Sequence, residues 1–325
     1  MIKQKVNSDL EYYPPPNKRE RPDNPRIEVV QTFESSNKTA KDTVDKGDQF
    51  DNAISIAAQV SKSRLRQSVK ALASFHTRHT RSKSFADVPR WLIEQFLTLG
   101  YDDVKTHTYV KTGMSLNNVI CVKPAGNNSQ ETIILSAHYD CIMQDHNNST
   151  ARAPGANDNA TGVATVLEVA RILKQIDLPR TIQFVCFSGE EQGLWGSTAY
   201  AAHVRQNNLN LHFLLNLDQV GFPSATKEVI IEQDLGNAAQ GNDQKSQNLA
   251  RTLAQIVQNR LGIPVKPGPI YSSDYMPFEA RNYAVIGLYE SGEYPPYHSD
   301  QDTPDKIDYD YLVNITKIAS IAMFI

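Results

Sequence analysis

A chain of 325 residues with 40% hydrophobic content can bury one large core without a disulfide framework, and its net charge of −3 makes no electrostatic case for nucleic acid. No stretch approaches the ~18 apolar residues of a membrane span. The opening residues, MIKQKVNSDLEYYPPP, have no apolar signal-peptide core, so cytoplasmic is the default expectation and secreted the alternative. The three cysteines form neither a scaffold nor a CxxC pair; Cys121 and Cys186 lie inside apolar runs and read as buried thiols.

Residues 1–50 are polar, lack a sustained period and hold Pro14-Pro15-Pro16, which reads as an extended or disordered arm. Order is expected from about Asp51. Arg64–Arg78 carries Leu65, Val69, Leu72 and Phe75 at helical spacing, which places His76 on the same apolar stripe. His76 and His79 read as structural histidines, since no carboxylate joins them at ligand spacing. A second helix is expected over Asp87–Leu99, closed by Gly100.

Val104–Val110 and Asn118–Val122 read as an antiparallel pair at a sheet edge. Apolar runs at Thr132–Ala137, Thr181–Phe187 and Leu211–Leu217 read as buried strands. Helical patterns at Ala160–Ile176 and Trp195–Gln206 separate them. Shorter strands follow at Val229–Glu232 and Ala284–Leu288, with an amphipathic helix at Gln244–Leu261 between them. Ile318–Ile325 ends an apolar helix without a cap, which leaves open a natural chain that runs further. Strand and helix alternating at these lengths predict one α/β domain over 51–325, a mostly parallel mixed sheet with helices on both faces.

Polar residues cluster where these strands end. His138 and Asp140 follow the first central strand, Glu190 and Glu191 the next, Asp218 the third, and His298 lies in the loop after the last; Asp158 stands between the first two clusters. Each alone is more often a cap, a turn residue or a solvated charge. As a set they differ, because the carboxyl ends of parallel strands share one edge of a sheet. Two imidazoles and several carboxylates gathered there repel and shift one another's ionisation unless cations are present. Mixed His and carboxylate donors suit zinc with a position open to water.

These motifs are similar to those of the zinc-dependent exopeptidases that include aminopeptidase Y and the secreted bacterial leucyl aminopeptidases. The resemblance runs from about Arg64 to the C-terminus. It rests on His138-Tyr139-Asp140, Gly155-Ala156-Asn157-Asp158-Asn159, Gly189-Glu190-Glu191-Gln192-Gly193, Asn216-Leu217-Asp218 and Tyr297-His298-Ser299-Asp300, in the family's order. It implies two zinc ions: His138 and Asp218 on one, Glu191 and His298 on the other, Asp158 bridging. It further implies Glu190 as general base and then general acid, Asp140 as the outer carboxylate that holds the His138 ring, and Tyr297 as a hydrogen-bond donor to the oxyanion. Gly189 and Gly193 permit the turn that points the adjacent glutamates to different tasks. Cys141 departs from the family, where a small hydroxyl residue is common; it is assigned no ligand role.

The activity so implied is removal of N-terminal residues from peptides by metal-activated water. Two other readings share the sheet: a glutaminyl cyclase-like acyltransferase with one zinc, and a binding module that has lost catalysis. The full ligand set and Glu190 favour the peptidase. Tyr271–Arg281 and the aromatic loop Tyr289–Tyr297 are expected to wall the substrate pocket or to pack the fold, and in the first case to make it apolar.

Overall fold

The computed structural model describes residues 44–127 and 129–325. Most of the polar arm lies outside the described residues. Its expected boundary moves, because a helix, α1 (Val44–Ala57), is already formed before Asp51. Ala53, Ile56 and Ala57 of α1 are buried and Phe50 packs against the same core, so the core reaches the last residue of the segment read as an arm.

Among the described residues seven further α-helices and eight strands follow. They are α2 (Lys62–Ser74), α3 (Asp87–Thr98), β1 (Val104–Lys111), β2 (Met114–Lys123), β3 (Thr132–His138), α4 (Thr161–Leu173), β4 (Thr181–Phe187) and α5 (Trp195–Gln206). After them come β5 (Leu211–Leu217), β6 (Val229–Gln233), α6 (Asp243–Leu261), β7 (Val265–Pro269), α7 (Met276–Glu279), β8 (Val285–Tyr289) and α8 (Tyr309–Ala322). All strands join one sheet in the order β1-β2-β4-β3-β5-β8-β6-β7. The middle, β4-β3-β5-β8, is parallel; β1, β2 and β4 pair antiparallel, as do β8 and β6. The expected mixed α/β architecture is therefore the observed one.

The pleat sorts each central strand between two apolar layers. Ile133 and Leu135 of β3, Phe184 of β4 and Leu215 of β5 pack with α2, α3, α4, α6 and α8. Ile134, Val185, Phe187 and Leu214 pack on the opposite face with α5 and α7. Each such side chain contributes about 1.5–3 kcal/mol through removal from water. Strands buried on both faces read as unbroken apolar runs, which is why their limits are legible in sequence.

Two elements depart from the expected pattern. β7 carries Pro267 and Pro269, which an edge strand tolerates because one side of it has no ladder to complete. α2 stops at Ser74 rather than Arg78, and His76 is exposed instead of core-facing. The cause is Arg78, whose buried guanidinium takes the Leu72 carbonyl at 3.0 Å and draws the chain off the helix. His79 is buried and bonded to backbone, its Nδ1 accepting from Arg81 N at 3.0 Å.

Candidate metal centre

β3, β4, β5 and β8 run parallel and end on one edge of the sheet, where the chain must turn. His138 is the last residue of β3. The Gly189–Gly193 turn follows β4, with φ of +73° at Gly189 and +107° at Gly193, the left-handed region glycine adopts without a Cβ clash. Asp218 follows β5 directly. Asp158 sits in the loop before α4, next to a cis Asp158–Asn159 peptide. His298 arrives on the loop after β8.

All the expected ligands converge and are buried. Asp158 lies between the two imidazoles: its Oδ1 is 3.2 Å from His138 Nε2 and its Oδ2 is 3.2 Å from His298 Nε2. His138 Nε2 also lies 3.4 Å from Asp218 Oδ1 and 3.9 Å from Glu190 Oε2. His298 Nε2 lies 2.9 Å from Glu191 Oε2. Among the described residues two sets of donors each fall within 4.8 Å of one another: His138, Asp158 and Glu191, and His138, Glu190 and Asp218. His138 thus belongs to both sets, and His298 is tied in through Glu191 and Asp158.

Charge explains what the site wants. Burial lowers the His298 pKa, but Glu191 and Asp158 outweigh it and push the imidazole up to about 9. His138 is likewise held well above its ordinary value against burial, by Glu190 and Asp218 and by bonds to Asp140 and Asp158. Burial raises Glu191, partly offset by the His298 charge. Such a pocket holds protons in the place of cations, and binding a metal there releases them. Imidazole nitrogens and carboxylate oxygens in this number fit zinc.

The surrounding bonds hold the donors still. Ser273 Oγ donates to Asp218 Oδ2 at 2.5 Å, Asn216 Nδ2 donates to Ser273 Oγ at 2.9 Å, and Ser136 Oγ donates to Asn216 Oδ1 at 2.8 Å. Gln219, at a φ of +55°, donates its amide to Asp158 Oδ2 at 3.1 Å. Asp302 accepts the backbone amides of Asn157 at 2.7 Å and Asp158 at 3.1 Å. Glu290 accepts from Asn157 Nδ2 at 2.8 Å and Phe222 N at 2.7 Å, and burial pushes its carboxyl up to about 8. Asp274 is fully buried beside the site; burial raises it to about 7, against the opposing charge of His138 and the Ser197 hydroxyl. None of Gln219, Glu290, Asp302 and Asp274 stands out in sequence, though Asp274 and Glu290 lie inside the expected pocket segments and Gln219 and Asp302 just after motifs.

Tyr297 is buried and stacks on His298, ring centroids 3.7 Å apart. Cys141 is structural: its thiol donates to Ala153 O at 3.0 Å, and burial pushes its pKa up to about 11. The expected pocket segments divide. Tyr271, Tyr275 and Tyr289 line a narrow cleft beside Asp218, whereas Phe278 packs in the core against Phe187 and Tyr294 donates to Asp302.

The model of peptidase family M28 matches residues 118–323, most of the chain. The chain belongs to peptidase family M28. Its motif resemblance and its membership therefore agree. The M28 chain is 27% identical to a probable leucine aminopeptidase of Trichophyton verrucosum, over 82% of this chain and 73% of that one. It is 26% identical to a probable zinc metalloprotease of Pyricularia oryzae, over 80% of this chain and 63% of that one. The crystal structure of the LapA aminopeptidase of Legionella pneumophila superposes with a TM-score of 0.71, covering 91% of this M28 peptidase and 77% of LapA. At 18% identity that likeness shows the fold alone.

Proposed function

We propose that this M28 peptidase is a zinc-dependent aminopeptidase that binds two zinc ions. The observation that carries the reading is Asp158, whose two oxygens each face a different imidazole at 3.2 Å. His138 and Asp218 would hold one ion and Glu191 and His298 the other, with Asp158 placed to serve both. Zinc bound there supplies Lewis acidity and an acidified water near neutral pH. Glu190, buried at the turn after β4, takes a proton from the attacking water and returns it to the leaving amine. Asp140 fixes the turn that carries Glu190. Tyr297, stacked on His298, donates to the developing oxyanion. The surrounding carboxylates attract a free α-ammonium, which suits release of N-terminal residues.

The test is zinc per chain on purified protein, alongside hydrolysis of a panel of aminoacyl p-nitroanilides before and after chelation. Close to two zincs, with activity lost on chelation and regained with zinc, is the expected result. One zinc with no hydrolysis moves the reading to a cyclase-like acyltransferase. No metal at all moves it to a binding module.

A further inference from the structure

A narrow cleft beside Asp218 is lined by Asp218, Tyr271, Ser273, Tyr275, Tyr289 and, from the neighbouring strand, Glu232. Glu232 is an acid in an apolar strand, Val229-Ile230-Ile231-Glu232-Gln233, and is only 3% exposed. Sheet register explains its place. Ser136 of β3 pairs with Asn216 of β5, Asn216 with Gly287 of β8, and Gly287 with Glu232 of β6. Paired residues share a face, so this row crosses the sheet on one side.

Gly287 is the opening in that row. A Cβ there would stand 2.3 Å from Glu232 Oε2 and 2.9 Å from Tyr275 Cε1. Only glycine leaves room for the carboxylate to lie across β8 towards Tyr275. The Tyr275 phenol is raised well above its ordinary range by burial and then by the charge of Glu232, with Asp218 adding to it. One ring therefore feels both the acid at the metal centre and the acid in the cleft.

We infer that Glu232 makes this peptidase selective for a basic N-terminal residue, lysine or arginine, whose side chain enters the cleft beside Asp218. The inference rests on the aminopeptidase reading above. The chemistry matches along the length of such a side chain. Tyrosine rings cover an aliphatic stem and favour a cation over their faces. A carboxylate then meets the ammonium or guanidinium in a charge-assisted bond. A leucine side chain in the same cleft would offer this buried carboxylate no charge-assisted bond. The apolar pocket expected from the tyrosines and phenylalanine is thus corrected: it has aromatic walls and an acidic residue.

The experiment uses the zinc-loaded full chain and measures kcat/KM for lysine, arginine and leucine p-nitroanilides. The ratio of basic to leucine substrate is the readout, so changes in folding or metal content cancel. The wild type is expected to favour the basic substrates. Glu232→Gln should lower the ratio by about tenfold or more, the scale of one hydrogen bond to a charged group. Glu232→Leu should lower it further. A wild type that prefers leucine overturns the inference. So does a Glu232→Gln enzyme that loses the same factor on every substrate, which would place the acid at the α-amine or in the fold. Hydrolysis of no aminoacyl substrate overturns the aminopeptidase reading itself, and is distinct from an active enzyme with the wrong ratio.

Discussion

Asp140 and Glu190 meet through a carboxylate and a backbone amide, with Asp140 Oδ1 3.2 Å from Glu190 N. The other oxygen takes Glu191 N at 3.1 Å. His138 Nδ1 is 3.3 Å from the Asp140 carbonyl and 3.7 Å from its carboxylate. One side chain after β3 thus anchors the acidic turn after β4 and flanks the imidazole. Asparagine keeps only one acceptor oxygen, so Asp140→Asn strands a buried amide. The expected cost is about 1–3 kcal/mol of stability, with lower turnover. Thermal unfolding and kcat of the zinc-loaded variant check it; both unchanged would show these bonds to be dispensable.

Glu190→Gln should keep its zinc and lose about 10²–10⁴ in kcat, the contribution of a positioned general base. Because Glu190 also lies within ligand distance of His138 and Asp218, metal content must be measured on the same sample. Zinc lost together with activity would make Glu190 a ligand instead.

Asp158→Ala removes the carboxylate that faces both histidines. Zinc per chain after dialysis should fall well below the wild-type value. Unchanged content would count against a bridging role.

Arg78 is fully buried, and its guanidinium donates to the carbonyls of Tyr139 at 2.7 Å, Leu72 at 3.0 Å, Pro154 at 2.5 Å and Gly155 at 2.8 Å. It ties α2 to the loops that carry Asp140 and Asp158. Arg78→Met removes all four bonds; Leu72 O keeps Phe75 N and Gly155 O keeps Ala160 N, so the expected cost is about 1–3 kcal/mol for each of the carbonyls of Tyr139 and Pro154. Denaturant unfolding measures it, and a change below 1 kcal/mol (about one ordinary hydrogen bond) would contradict the role.

Stability should also fall in acid through two half-buried histidines away from the metal centre. His107 is pushed down to about 4 by burial and then by neighbouring His203, and His212 to about 4 by burial and then by Arg180 and Lys245. Both begin from 6.5, so below that pH the unfolded chain binds protons that the folded chain refuses. Their contribution is present above 6.5 and is lost as pH falls through about 4. Unfolding curves of the wild type and of a His107→Gln, His212→Gln double variant across this window test it. The double variant should show the shallower decline, and parallel declines would refute the assignment.

The sequence by itself determined the central strands and the inventory of candidate ligands. β4 and β5 have the limits expected, because strands buried on both faces must be apolar from end to end. His138, Asp158, Glu190, Glu191, Asp218 and His298 were legible because each stands where such a run breaks or in the loops beyond. Only the tertiary structure decided what those residues rest on. Arg78 reads as the end of a helix in sequence, but its guanidinium sits among the Leu72 carbonyl of α2 and three carbonyls from distant loops. Gln219, Asp302 and Glu290 act through bonds to segments far away in the chain. Glu232 looked like the polar end of a short strand. Its meaning depends on Gly287 opposite it, and strand register, which brings the two together, is set by the packed sheet rather than by either segment alone.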